Sequence, residues 1–153
     1  MTQNINSFSP NREKGQLVND IAASTITCKI SSTSTEVFGP ATAVKIINVA
    51  GATLPVVEKA AATDSIFGFI SYNYKSNTPV AGDLVEISSF GQEMVMEAGG
   101  AIAGGGLVEI VAATDKVAGS AGTNKVVGIN MIRVGADGEL TRVLIQTPKV
   151  NQL

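Results

Sequence analysis

"TDSIFGFIS" occupies residues 63–71, and sixty positions later "TNKVVGINM" occupies residues 123–131. Thr63, Asp64, Ile66 and Gly68 fall opposite Thr123, Asn124, Val126 and Gly128. Each stretch sets a glycine inside an apolar, strand-like run. A glycine there weakens a strand, so Gly68 and Gly128 predict two equivalent bends, bulges or close approaches of another backbone. The match continues outward. Gly82-Asp83-Leu84 opens "VEISS" and Gly138-Glu139-Leu140 opens "TRVLIQ", at an offset of fifty-six. "AVKII" at 43–47 matches "LVEIV" at 107–111. One order of strand, loop, apolar-Gly-apolar strand, turn and Gly-acid-Leu strand thus occurs twice, over about residues 39–91 and 98–147. Duplicated strand sets of this size close into a barrel or a two-sheet sandwich.

The rest of the chain agrees with a β body. "STITCKIS" alternates Ile26, Cys28 and Ile30 with Thr25, Thr27 and Lys29, the period of a half-buried strand. From residue 24 onward, runs rich in Val and Ile are separated by Gly, Pro, Asn and Asp, and no helical stripe with caps is found. The reading is all-β, with about nine or ten short strands in one domain over residues 24–153. Asp137-Gly138 reads as a tight primed hairpin turn. Residues 1–23 lack a sustained period and read as an extended, partly mobile arm, with a weak helical signal over residues 16–23.

The glycine-rich stretch "AGGAIAGGGLVEIV" at 98–111 raises the question of a phosphate cradle. A phosphate loop needs a Gly-Lys-Ser/Thr ending and a following helix whose N-terminus faces the anion. Here a strand follows, and the dinucleotide pattern lacks its third glycine. The cluster reads as a bend that lets the chain turn and pack before "LVEIV". The sequence has no histidine, which removes the commonest general base and most zinc or copper sites. Cys28, alone and on an apolar strand face, reads as a buried inert thiol. The carboxylates sit mostly in turns, where they bond local backbone. The expectation is a protein that is not an enzyme and uses no cofactor or metal.

Composition points to partners of another kind. Charged residues make up 16% of the 153 positions against 44% hydrophobic ones, so part of the surface is destined to be covered. A net charge of −2 with scattered Lys and Arg gives no footprint for nucleic acid. No run of eighteen apolar residues exists, and the N-terminal stretch lacks a signal-peptide pattern, so a soluble cytoplasmic product with no membrane contact is expected. Candidate contacts with a partner or a second subunit are Phe8, Arg12 and Lys14 in the arm, with Tyr72 and Tyr74 two apart on one strand face. The tyrosines also suit a sugar platform, though the absence of Trp counts against it.

The layout of "SIFGFIS", "VVGINMI", "VAGDLVEI", "GGAIAGGGLVEIV" and "GELTRVLIQT" resembles the small capsid cement or decoration proteins of tailed bacteriophages, over roughly residues 39–147. The forty or so residues before that region depart from the simplest pattern of the family. The resemblance implies a structural virion protein made in the host cytoplasm. It further implies a homo-oligomer, often a trimer, bound to the major capsid protein on the outer capsid surface, where it cements junctions between subunits. A receptor- or glycan-binding β module or a fibre base of a virion is the alternative.

Overall fold

The computed structural model describes residues 13–18, 25–73, 76–112 and 114–146. Ten strands account for its regular structure, and no helix occurs among the described residues. The first five are β1 (Thr25–Ile30), β2 (Ala43–Ile47), β3 (Val56–Lys59), β4 (Gly68–Ile70) and β5 (Leu84–Ser88). The second five are β6 (Glu93–Gly99), β7 (Leu107–Ile110), β8 (Lys116–Gly119), β9 (Val126–Asn130) and β10 (Asp137–Ile145). The all-β reading holds, and its barrel form takes a doubled shape.

Each set of five closes into a barrel. The order is β1-β3-β2-β4-β5 in one and β6-β8-β7-β9-β10 in the other, with β5 returning to β1 and β10 to β6. Adding five to each label of the first barrel yields the second. Even the parallel pair recurs, β1 with β3 and β6 with β8, while the other ladders are antiparallel. Closure removes most of the exposed edges that make isolated strands prone to association. The repeating unit includes β1 and β6, which begin ahead of the sequence match at 39 and 98.

Gly68 and Gly128 occupy the same place in the two barrels. Gly68 stands opposite Val44 on β2, and Gly128 opposite Val108 on β7. A β carbon on Gly68 would lie 2.4 Å from the carbonyl oxygen of Ser88, and one on Gly128 would lie 2.4 Å from that of Leu144. The close backbone approach expected at both glycines is therefore present.

The strands alternate between two cores. Ile70 points into the first barrel with Cys28, Ile30, Val44, Val57 and Ile87. Its neighbour Phe69 points outward, yet is only 1% exposed. Phe69 and the small residues Ala41, Ala43, Ala60 and Ala62 join the core of the second barrel, which contains Met94, Met96 and Val143. Alanines on this face let the two barrels approach closely. A Lys59–Asp115 ion pair at 3.4 Å and a Lys125 N–H donated to the Ala62 carbonyl at 3.3 Å also cross between them.

A polar clamp recurs as well. Lys45 on β2 pairs with Asp64 at 2.9 Å, and the equivalent Glu109 on β7 accepts from Asn124 Nδ2 at 2.9 Å. Each ties a strand to the loop ahead of β4 or β9. Hydrogen bonding to Lys45, and then to the Ala61 N–H, holds the Asp64 carboxyl below its ordinary 3.8. The same bond with Asp64 raises Lys45 above its ordinary 10.5. A depressed acid stabilises above its unfolded value and loses that effect as pH falls through the folded one. A raised lysine stabilises below its unfolded value and loses the effect as pH rises through the folded one. The full contribution therefore spans pH 3.8 to 10.5. The pair is solvent-screened, so Asp64→Asn is expected to lower stability by about 0.5 kcal/mol at neutral pH. Urea midpoints of the variant and parent should converge in acid, below the folded Asp64 value.

Three local readings change, one of them at Tyr72, which lies beyond the end of β4 and on no strand. Asp137-Gly138 is not the primed turn joining β9 to β10: residues 131–136 make that connection, and Asp137 already pairs with Gly99. The β10–β6 register then shifts before Leu140, with Gly138 at φ 85°. The positive φ that suits a primed turn serves a β-bulge instead. The helical signal at residues 16–23 gives way, within its described part, to an antiparallel bridge between Leu17 and Met94. Residues 19–24 lie outside the described residues.

Candidate interaction surface

Residues 13–18 lie along the edge of β6. The Gly15 N–H donates to the Val95 carbonyl at 2.7 Å, the Val95 N–H to Gln16 at 2.9 Å, and the Val18 N–H to Glu93 at 2.8 Å. Gly15 also accepts from the Tyr72 N–H of the first barrel at 2.9 Å, so this part of the arm bridges the barrels. Gly15 has φ 83°, and a β carbon there would lie 2.5 Å from Pro40 Cβ. The turn and the tight contact both call for glycine.

The sequence candidates separate in space. Phe8, Arg12 and Tyr74 lie outside the described residues. Lys14 lies 3.7 Å from Glu97, which also holds Lys116 at 3.0 Å, and Lys116 reaches Asp137 at 2.8 Å. Hydrogen bonds to Asp137 and then Glu97 raise Lys116, and the bond from Lys116 lowers Asp137. Lys14 thus joins an ion network within the chain. Tyr72 borders a hollow of about 440 Å³ with Pro40, Asn77, Pro79, Leu84 and Glu86. That hollow mixes polar and apolar walls.

The glycine-rich bend lies in the β6–β7 connection. Its Gly105 N–H donates to the Asn130 carbonyl at 2.7 Å and its Gly106 N–H to the Ala103 carbonyl at 3.2 Å. These donors are spent on the fold, and the loop is braced by the buried Asn130 side chain, which donates to the Ala103 and Ile132 carbonyls. Thr141 completes the network by donating to Asn130 Oδ1. Cys28 is fully buried in the first barrel, and its thiol is pushed up by burial and then by the nearby Glu86 carboxylate. A raised thiol holds little nucleophilic thiolate near neutral pH.

One apolar concavity was not singled out by sequence. A cleft of about 240 Å³ opens beside the rim of the first barrel, walled by Ile26, Ile66, Phe67 and Phe90 together with Val127 and Ile145 of the second barrel. Phe90 is 63% exposed and Ile26 40% exposed. Ile26 shares the alternation of Cys28 and Ile30 but sits at the rim, where the core ends. Nothing in the local pattern separates a rim position from an interior one. Elsewhere Val37, Val80, Leu84 and Leu107 are also exposed. A charge-poor surface with these aliphatic side chains suits association.

No family model matches the chain, and comparison with curated proteins finds no match. Among solved structures, the chain is similar to the head fiber gp8.5 N base in bacteriophage phi29, with a TM-score of 0.52 and 14% identity. The alignment covers 84% of this chain and 98% of that one. At this identity the likeness is one of fold, and it runs through nearly the whole of that base.

Proposed function

We propose that this chain is a structural protein of a bacteriophage virion that binds the outside of an assembled capsid as an oligomer and cements junctions between capsid subunits. The observation that carries the reading is the fold shared with a phage head-fibre base over 98% of that base. A rigid pair of closed barrels and an apolar, charge-poor surface suit a role that needs contacts and no catalysis. Trimeric assembly would let weak contacts act together. Three contacts near the millimolar level, about −4 kcal/mol each, gain orders of magnitude in avidity on a lattice. The partner in this reading is the major capsid protein, and separate capsid subunits would bind poorly.

A second reading, the base of a fibre or receptor-binding module, is favoured by the same neighbour, since that structure is itself a fibre base. The two separate in one experiment: the purified protein is mixed with undecorated mature shells and with unexpanded precursors, and co-sedimentation and the shell rupture temperature are measured. Cementing predicts binding to mature shells and a higher rupture temperature. Binding with an unchanged rupture temperature supports the fibre base, and failure to bind either shell overturns both readings.

A further inference from the structure

The two barrels are alike in register but not in how their first strands are covered. Glu97 pairs with Lys116 on β8 and Leu140 on β10, and Lys29 pairs with Val56 on β3 and Leu84 on β5. Thr25, Ile26, Thr27 and Lys29 therefore correspond to Glu93, Met94, Val95 and Glu97. In the second barrel, residues 15–18 cover the edge at Glu93 and Val95, and Leu17 lies opposite Met94 and packs on the core. In the first barrel, β3 reaches only Lys29 and Ile30. The Ile30 N–H points to Asp83 on the β5 side at 2.9 Å, so by alternation the N–H and C=O of Thr25 and Thr27 face away from β5. Among the described residues, no backbone group pairs with that edge.

Side chains mark the same place. Ile26, the counterpart of Met94, lines the apolar cleft with Phe67 and Phe90. In the second barrel, Leu17 lies opposite Met94, the counterpart of Ile26, and packs on the core there. A second hollow of about 410 Å³ opens beside Lys29, bordered by Val49 and Leu54. Lys29 is exposed and has no ion-pair partner among the described residues, whereas its counterpart Glu97 faces Lys14.

We propose that the β1 edge at Thr25–Thr27 is a strand-addition site for an extended segment of a partner protein. The segment runs antiparallel to β1, seats an aliphatic side chain opposite Ile26 in the cleft, and places a carboxylate three residues earlier, opposite Lys29. Backbone bonds to Thr25 and Thr27 supply affinity, and the cleft and Lys29 supply selection. The arm of a second copy is the wrong occupant, because its Lys14 would face Lys29. The site stands on the geometry of this chain, whichever particle carries it.

The test uses the full chain and fluorescent nonapeptides spanning residues 11–19, titrated by fluorescence anisotropy. The Lys14→Glu peptide is expected to bind at least tenfold more tightly than the parent peptide or a Lys14→Glu, Leu17→Asp peptide. Thr27→Pro in the protein removes the edge donor while sparing the β5 ladder, and should abolish binding. Lys29→Glu lies on an exposed side chain and should reverse the preference toward the Lys14 peptide, which keeps the test valid should Thr27→Pro fail to fold. The proposal is overturned if no peptide binds, if a folded Thr27→Pro protein binds as the parent does, or if Lys29→Glu leaves the preference unchanged.

Discussion

Gly68→Ala and Gly128→Ala are each expected to lower the unfolding free energy by about 3 kcal/mol, the upper part of the usual cost of overpacking. A β carbon at Gly68 would meet Ser88 O at 2.4 Å and Ile87 Cγ2 at 2.7 Å. At Gly128 it would meet Leu144 O at 2.4 Å and Val143 Cγ1 at 2.6 Å. The carbonyls belong to the ends of β5 and β10, which carry the ladders to β4 and β9, so they cannot withdraw without breaking pairing. Neither glycine has a positive φ, so alanine's own dihedrals add no penalty. The effect comes from the approaching backbone together with the side chains of Ile87 and Val143. Gly119→Ala is the control: nothing lies within 4 Å of its β-carbon position, and it should change stability by less than about 0.5 kcal/mol. Urea unfolding of the three variants checks this, and a parent-like midpoint for both Gly68→Ala and Gly128→Ala would show that the strands bend away at little cost.

Phe69→Ala is expected to cost about 4 kcal/mol, within the range for truncating a buried phenylalanine. Phe69 is 1% exposed and sits among the alanines that face the second barrel. Its removal leaves a void between the barrels that flanking alanines are too small to fill. The variant should therefore also weaken the coupling of the barrels, seen as a reduced slope of the urea transition or as two separate steps. Val80→Ala, on a 62% exposed side chain, should leave midpoint and slope near those of the parent. A Phe69→Ala protein with parental midpoint and slope would mean that the barrels do not depend on each other through this contact.

The residues that carried the duplication in sequence are those whose chemistry the geometry dictates. Gly68 and Gly128 repeat because a cross-strand carbonyl excludes any side chain there. Asp64 and Asn124 repeat because each reaches back to a strand partner, Lys45 or Glu109, with the donor and acceptor roles exchanged. β1 and β6 share no residue at matched positions, "TITCKI" against "EMVMEA", although their pairing is the same. Backbone ladders accept any alternating sequence, so equivalence held by main-chain bonds alone leaves no trace in residue identity. Asp137-Gly138 marks the same limit: the sequence shows a residue with free access to positive φ, and only the ladder decides whether a turn or a bulge uses it.

The candidate surface was less legible. The apolar cleft is built from Ile26, Phe67 and Phe90, which lie far apart in the chain. No short-range pattern links them. Lys14 reads as a charge for a partner, and the structure also places it 3.7 Å from Glu97 of the same chain.

By itself the sequence determined an all-β body, its duplication, the two strand glycines and the buried inert cysteine, since these follow from period-two alternation and from the dihedral and steric needs of single positions. Only the tertiary structure decided that each repeat closes on itself, that the barrels share a core through Phe69, and that among the described residues one first strand is covered along its edge while its counterpart is not. Those features depend on which distant segments meet, and the meeting is governed by main-chain pairing and by the shape left between packed surfaces.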